Sequence, residues 1–202
     1  MIIQDSSIQA VDLAIDCLQS RHLMLYPTDT IYGLGCDAQD EDTVNQLRTA
    51  KGREASKPFL ILAGSVKKVQ QHFETKPFEK QLKEFWPGPV TVLLKPTDPN
   101  LNHLKGPTQK IGVRVAQDPF LKRLFNTWDG LLISTSANLA NQPYQSDWNQ
   151  LLSLFSNKLH LCIERQSYQT SSPSTLIDWN QGKWKIIRSV GNPLLEKKLG
   201  IL

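Results

Sequence analysis

Cysteine is scarce in this chain: three residues in 202, at Cys17, Cys36 and Cys162. An odd number at wide spacing supports neither a disulfide framework nor a zinc ribbon, so reduced thiols are expected. No apolar run approaches the ~20 residues needed to cross a bilayer, which argues against a membrane partner. The N-terminus carries Asp5, Asp12 and Asp16 and lacks the basic start and apolar core of a secretory peptide. Together these absences point to a cytoplasmic location. Internal repeats and low-complexity tracts are missing, as are the Walker phosphate loop and the G-x-G-x-x-G fingerprint, so the standard nucleotide motifs do not apply. No Ser/His or Cys/His pairing is apparent, and His22, His72, His103 and His160 stand apart from every other motif. Neither a side-chain nucleophile nor a metal held by protein side chains is expected.

What is present is ordinary globular sequence with an uneven charge. The length suits one well-buried core, and we expect a single domain over residues 1–202. Residues 1–46 hold eight acids and one base, net −7, against 22 bases and 11 acids, net +11, in the remainder. Such asymmetry is expected to make one surface strongly positive and suited to phosphates, although lysines scattered over solvated helices give the same count. Arg114 and Arg188 lie inside apolar runs, where a cation normally needs an anionic partner.

Apolar spacing predicts a helix over 7–20 capped by Ser6 or Ser7, a strand at 22–26, and a second helix from Asp40 to the Lys51 region. A buried strand follows at 59–63, then helices at 65–73 and 77–86 and a β-branched strand at 90–94. Residues 96–109 read as a polar loop and candidate lid. A strand at 111–115, a helix from Asp118-Pro119 to 127 and a strand at 131–134 come next. After a polar linker, 139–146, we expect a helix near 147–156, a strand near 159–163, and a loop over 164–173. A hairpin turning at Asn180-Gln181-Gly182 and a short helix from Leu194 close the chain. Strands alternating with helices, ending in a hairpin, predict an α/β fold: a twisted mixed sheet, parallel and antiparallel, flanked by helices.

The most unusual stretch is Tyr26 to Arg53. Pro27 ends a strand and opens Thr28-Asp29-Thr30-Ile31-Tyr32-Gly33-Leu34-Gly35, a loop dense in hydroxyls and in glycines that allow close approach. Lys51-Gly52-Arg53 then reads two ways: as a glycine-capped helix end with favourable dipole charges, or as two cations able to converge on one anion. Other landmarks are Trp86-Pro87-Gly88-Pro89, Val113-Arg114-Val115, Ser134-Thr135-Ser136-Ala137-Asn138, Ser174-Thr175-Leu176-Ile177-Asp178 and Ile187-Arg188. They fall at strand ends, where open α/β sheets place ligands.

Taken in order, these motifs resemble the YrdC/TsaC family, the threonylcarbamoyl-AMP synthases, over about residues 10 to 190. The resemblance implies a YrdC-like domain with an open concave basic cleft. It also implies a nucleotidyltransferase reaction that joins L-threonine, bicarbonate and ATP, with Mg²⁺, into threonylcarbamoyl-AMP and pyrophosphate for tRNA modification. Lys51 and Arg53 would hold the triphosphate and act as catalytic cations, with Lys110, Ser136, Asn138 and Arg188 also near the nucleotide. Thr28, Arg114, Ser134 and Ser174 would receive threonine, the planar guanidinium of Arg114 matching a carboxylate. Competing structural readings are that Ser136 and Asn138 cap a turn, that Arg188 pairs with Asp178, and that Tyr32 is a core anchor. Two departures concern the C-terminal wall: Ser189-Val190-Gly191 follows Arg188 where the family has Pro-Gly, and Pro173 precedes Ser174. The chain length matches the short form without an appended domain. A tRNA-threonylcarbamoyl transferase complex is the implied downstream partner. Two alternatives stay open: a module that binds tRNA or double-stranded RNA through phosphates without chemistry, and a divergent YciO-like paralogue.

Overall fold

The computed structural model describes residues 1–54, 57–166, 172–191 and 197. Among these, ten strands form one sheet: β1 (Ile2–Gln4), β2 (Met24–Tyr26), β3 (Gly33–Gly35), β4 (Leu60–Leu62), β5 (Val90–Leu94), β6 (Ile111–Arg114), β7 (Leu132–Ser136), β8 (Leu161–Glu164), β9 (Thr175–Asn180) and β10 (Lys183–Arg188). Their spatial order is β1-β8-β2-β3-β7-β4-β6-β5-β9-β10. The β1/β8, β2/β8, β4/β6 and β5/β9 pairs are parallel and the others antiparallel, which is the mixed sheet expected.

Among the described residues, six α-helices with resolved bounds flank it: α1 (Ala10–Gln19), α2 (Glu41–Lys51), α3 (Val66–His72), α4 (Glu79–Phe85), α5 (Pro119–Thr127) and α6 (Trp148–Phe155). Period-two alternation sorts side chains between the two faces of the sheet. Leu25, Leu34, Ile61, Ile133 and Cys162 join one buried cluster with residues of α2, α4 and α6. Met24, Tyr26, Leu62, Leu132, Leu161 and Ile163 join the other, packed on α1 and α5.

Several expectations are corrected. Helix α1 begins at Ala10 with Gln9 at its cap position and no side-chain cap; Ser7 Oγ instead accepts from Gln9 N at 3.3 Å. Residues 96–109 are not a free lid, because a 3₁₀ turn, Pro99–Leu104, inserts Leu101 and Leu104 into the core. Gly33–Gly35 is a strand rather than a loop. A Cβ at Gly35 would lie 2.1 Å from the Ile133 carbonyl and 2.9 Å from the Tyr26 ring, so glycine admits the close approach of β7 and Tyr26. Strand β1 had no counterpart in the sequence reading. Half of the 164–173 loop (residues 167–171), and all but Lys197 of the helix read from Leu194, lie outside the described residues.

Candidate active site

Helices α1 and α5 cover only part of their face of the sheet. Farther along that face, Ser134 of β7 pairs with Leu60 of β4, Leu60 with Gly112 of β6, and Gly112 with Leu93 of β5. These residues, with Thr91 and Leu176, line a cleft of about 380 Å³. It is also lined by Thr28, Thr30, Ile31, Tyr32, Arg53, Lys57, Ser136, Pro173 and Arg188. The cleft is therefore the stretch of sheet left without a helix.

Both readings of Lys51-Gly52-Arg53 hold. Gly52 is the C-cap of α2 at φ 62°, and the Gly52 and Arg53 amides donate to the Thr49 and Arg48 carbonyls. That left-handed turn sends Lys51 and Arg53 toward the same wall. The Lys51 side chain is fully buried; its Nζ donates to Thr135 Oγ1 at 3.0 Å and to the Ser136 carbonyl. Burial, with Arg53 adding repulsion, pulls its pKa down to about 7. Arg53 donates through Nη2 to the Pro58 carbonyl at 2.8 Å and through Nε to the Lys57 carbonyl at 3.3 Å. Arg188 donates to the Ser174 carbonyl at 2.9 Å, and burial lowers its pKa. Among the described residues, none of these three cations forms a salt bridge. Cations gathered around a hollow without carboxylates favour an anion there.

Arg114 is held differently. It is 1% exposed and donates through Nη2 to Asp29 Oδ1 at 2.8 Å and through Nη1 to Thr30 Oγ1 at 3.3 Å. This supplies the anionic partner that its position demands. Thr28 Oγ1 lies 2.9 Å from Thr30 Oγ1 and donates to the Ile31 carbonyl. Thr91 Oγ1 and Ser174 Oγ share a hydrogen bond of 2.7 Å. A buried guanidinium beside the Thr30 hydroxyl, in a cleft that also carries the Thr28, Thr91, Ser134 and Ser174 hydroxyls, can take a small polar ligand bearing a carboxylate.

Of the residues singled out from sequence, Thr28, Arg53, Arg114, Ser134, Ser136, Ser174 and Arg188 all line this one cleft. Lys51 stands behind Thr135 and Ser136. Asn138 lies outside the lining: it accepts from Ser136 Oγ and donates through Nδ2 to the Leu139 and Gln142 carbonyls, so it fixes the turn after β7. The structure does not bring Lys110 to the cleft. Its Nζ takes Asp178 Oδ1 and the Trp179 carbonyl, beside a second hollow that shares Leu93. Arg188 consequently does not pair with Asp178. Thr30, Lys57, Phe59, Thr91 and Thr135 line the cleft without having been assigned to it from sequence, and so does Tyr32, which was read as a core anchor. Tyr32 is both anchor and wall, since its hydroxyl accepts from Arg165 N at 2.8 Å. For Thr91, alternation along β5 was the available signal.

Comparison with known proteins shows the family. The family model Sua5_yciO_yrdC, described as "Telomere recombination", matches residues 16–190. A threonylcarbamoyl-AMP synthase of Coxiella burnetii is 32% identical over 178 residues, covering 86% of this chain and 95% of the relative. The structure of P. abyssi Sua5 complexed with L-threonine superposes with TM-score 0.89 at 24% identity, covering 100% of this chain and 62% of that one. E. coli YciO superposes with TM-score 0.82 at 21% identity and 95% coverage of both chains. The last two establish a shared fold, and the family match over most of the sequence establishes the kinship: this chain belongs to the Sua5/YciO/YrdC family.

Proposed function

We propose that this chain is a threonylcarbamoyl-AMP synthase, a nucleotidyltransferase that uses L-threonine, bicarbonate and ATP. The observation that carries the reading is that one cleft is lined both by Arg53 and Arg188, which form no salt bridge among the described residues, and by Arg114 together with the hydroxyls of Thr28, Thr30, Ser134 and Ser174. That combination suits a triphosphate beside an amino acid. The name of the Coxiella relative and the threonine complex of P. abyssi Sua5 support it.

In this reading Arg53, Arg188 and the Lys51 ammonium offset phosphate charge, while the Ser136 hydroxyl turns from Asn138 Oδ1 to donate to a phosphate oxygen. Arg114 takes the threonine carboxylate, and Thr28, Ser134 and Ser174 orient the amine and hydroxyl. The neutral threonine amine condenses with bicarbonate to a carbamate, releasing water; a carbamate oxygen then attacks the α-phosphorus, and the bond from that phosphorus to the α,β-bridging oxygen breaks to expel pyrophosphate. Positioning and preorganised charge lower the barrier, and no protein nucleophile is required. Mg²⁺ prefers phosphate oxygens and water, so it would enter as the ATP complex and neutralise developing charge on the leaving group. Among the described residues there is no cluster of three His, Cys, Asp or Glu side chains to hold it otherwise.

The product is a reactive mixed anhydride, which a tRNA-threonylcarbamoyl transferase must consume promptly. We place this step in the cytoplasm, in keeping with three unpaired cysteines. No helix among the described residues is long and apolar enough to cross a membrane. The test is pyrophosphate release from ATP with threonine and bicarbonate each omitted in turn. Release that requires both supports the reading. Tight binding of tRNA or double-stranded RNA with no threonine-dependent release would replace it with a binding module, and turnover of another amine with a YciO-like paralogue.

A further inference from the structure

Arg53 is held by an aromatic ring as well as by carbonyls. Phe59 is 2% exposed and lines the cleft just before β4. The Arg53 guanidinium carbon lies 5.0 Å from its ring centroid, and that of Arg48 lies 4.8 Å away. Arg48 Nη1 and Arg53 Nε both donate to the Lys57 carbonyl at 3.3 Å, and Arg53 adds the Pro58 carbonyl at 2.8 Å. The negative face of an aromatic ring attracts a guanidinium, more strongly where water is excluded. Two of the five guanidinium donors of Arg53 are committed to carbonyls, and the ring opposes rotation about the side chain.

Core stability alone does not call for this arrangement. Arg48 and Arg53 share one ring and one acceptor, and Lys51 is close enough to feel the Arg53 charge. Bringing three cations together raises the energy of the empty cleft, and an incoming anion lowers it. A side chain that is already ordered gives up little entropy on binding.

We propose that Phe59 is a positioning residue of the phosphate site: its ring and the Lys57 and Pro58 carbonyls hold the Arg53 guanidinium in its ligand-bearing orientation before the nucleotide arrives. This inference rests on the reading of the cleft as a nucleotide site.

The test is calorimetric titration of pyrophosphate and of ATP into the whole protein, with Michaelis constants measured in parallel. Phe59→Leu and Phe59→Met retain apolar volume and lose the ring, whereas Phe59→Tyr retains it. Leu and Met are expected to weaken pyrophosphate and raise the KM for ATP roughly three- to thirtyfold, the range of a cation–π contact. The KM for threonine should stay within about twofold, and Phe59→Tyr should bind like the wild type. In the Arg53→Gln background, adding Phe59→Leu should cause little further loss, because the cation on which the ring acts has already been removed. Wild-type binding by both Leu and Met variants overturns the proposal. Equal loss for ATP and threonine also overturns it, by assigning Phe59 to the general framework. Failure of the wild type to bind either pyrophosphate or ATP overturns the nucleotide reading itself, an outcome distinct from failure of the variants alone.

Discussion

Lys51 Nζ donates to Thr135 Oγ1 at 3.0 Å and so ties the end of α2 to β7, 84 residues farther along the chain. A second bond to the Ser136 carbonyl completes the tie. Through it, Lys51-Gly52-Arg53 and Ser134-Thr135-Ser136-Ala137-Asn138 become one wall. The ammonium is held by neutral oxygens, which leaves its charge uncompensated for an anion.

Replacing Lys51 should separate function from stability. Lys51→Met removes a desolvated charge and keeps the volume, and such exchanges are often neutral or stabilising. Thermal melting should be unchanged or higher, while turnover falls about 10²- to 10³-fold, as for loss of one preorganised donor. Arg53→Ala should fall comparably. Unchanged rates in both variants would remove these cations from the site.

The lowered Lys51 pKa predicts proton linkage. Between about 7 and the ordinary 10.5, the unfolded chain binds more protons at this lysine than the folded one. The stability of the ligand-free protein should therefore rise with pH through that window, and the rise should be missing in Lys51→Met. Bound phosphates favour the ammonium, so ATP binding near pH 8 should take up a proton. Calorimetry in buffers of different ionisation enthalpy measures this uptake, and an enthalpy independent of buffer would contradict it.

Arg114 serves both fold and ligand. Arg114→Ala leaves the Asp29 carboxylate, whose side chain is 14% exposed, without its guanidinium. We expect destabilisation of about 3 kcal/mol, the low end for breaking a buried pair. Arg114→Lys keeps the charge and loses the planar fork, so it should raise the threonine requirement at least about tenfold, the loss expected for one charge-assisted hydrogen bond. The ATP requirement should change far less, and the reverse pattern in steady-state kinetics would reassign the residue.

Two glycines should respond differently to alanine. At Gly35 the new methyl meets the Ile133 carbonyl, so denaturant unfolding should show a loss of about 3 kcal/mol or more. At Gly52 nothing lies within 4 Å, and only the left-handed backbone is penalised, by about 1 kcal/mol.

Much of this was legible in the chain. Strand β5 occupies the expected residues because its β-branched run is bounded by Pro89 and Pro96, and the closing hairpin turns where Gln181 and Gly182 supply positive φ. Strands β1 and β3, three residues each, are too short to display a period, and β3 is mostly glycine. Motif order brought most of the cleft lining together. Lys110 escaped because its partner Asp178 lies 68 residues away and only the fold joins them. Thr91 escaped because strand alternation separates two faces without revealing which stretch of face the helices leave bare, and Phe59 because it belongs to the buried cluster of the opposite face and reaches the cleft only from the turn before β4.

The most direct measurement follows ¹³C-labelled bicarbonate by mass spectrometry after incubation with ATP and L-threonine. The account predicts a labelled threonylcarbamoyl-adenylate that requires all three substrates and disappears in Arg53→Ala. ATP and threonine bound in the cleft with no labelled adenylate formed would contradict it.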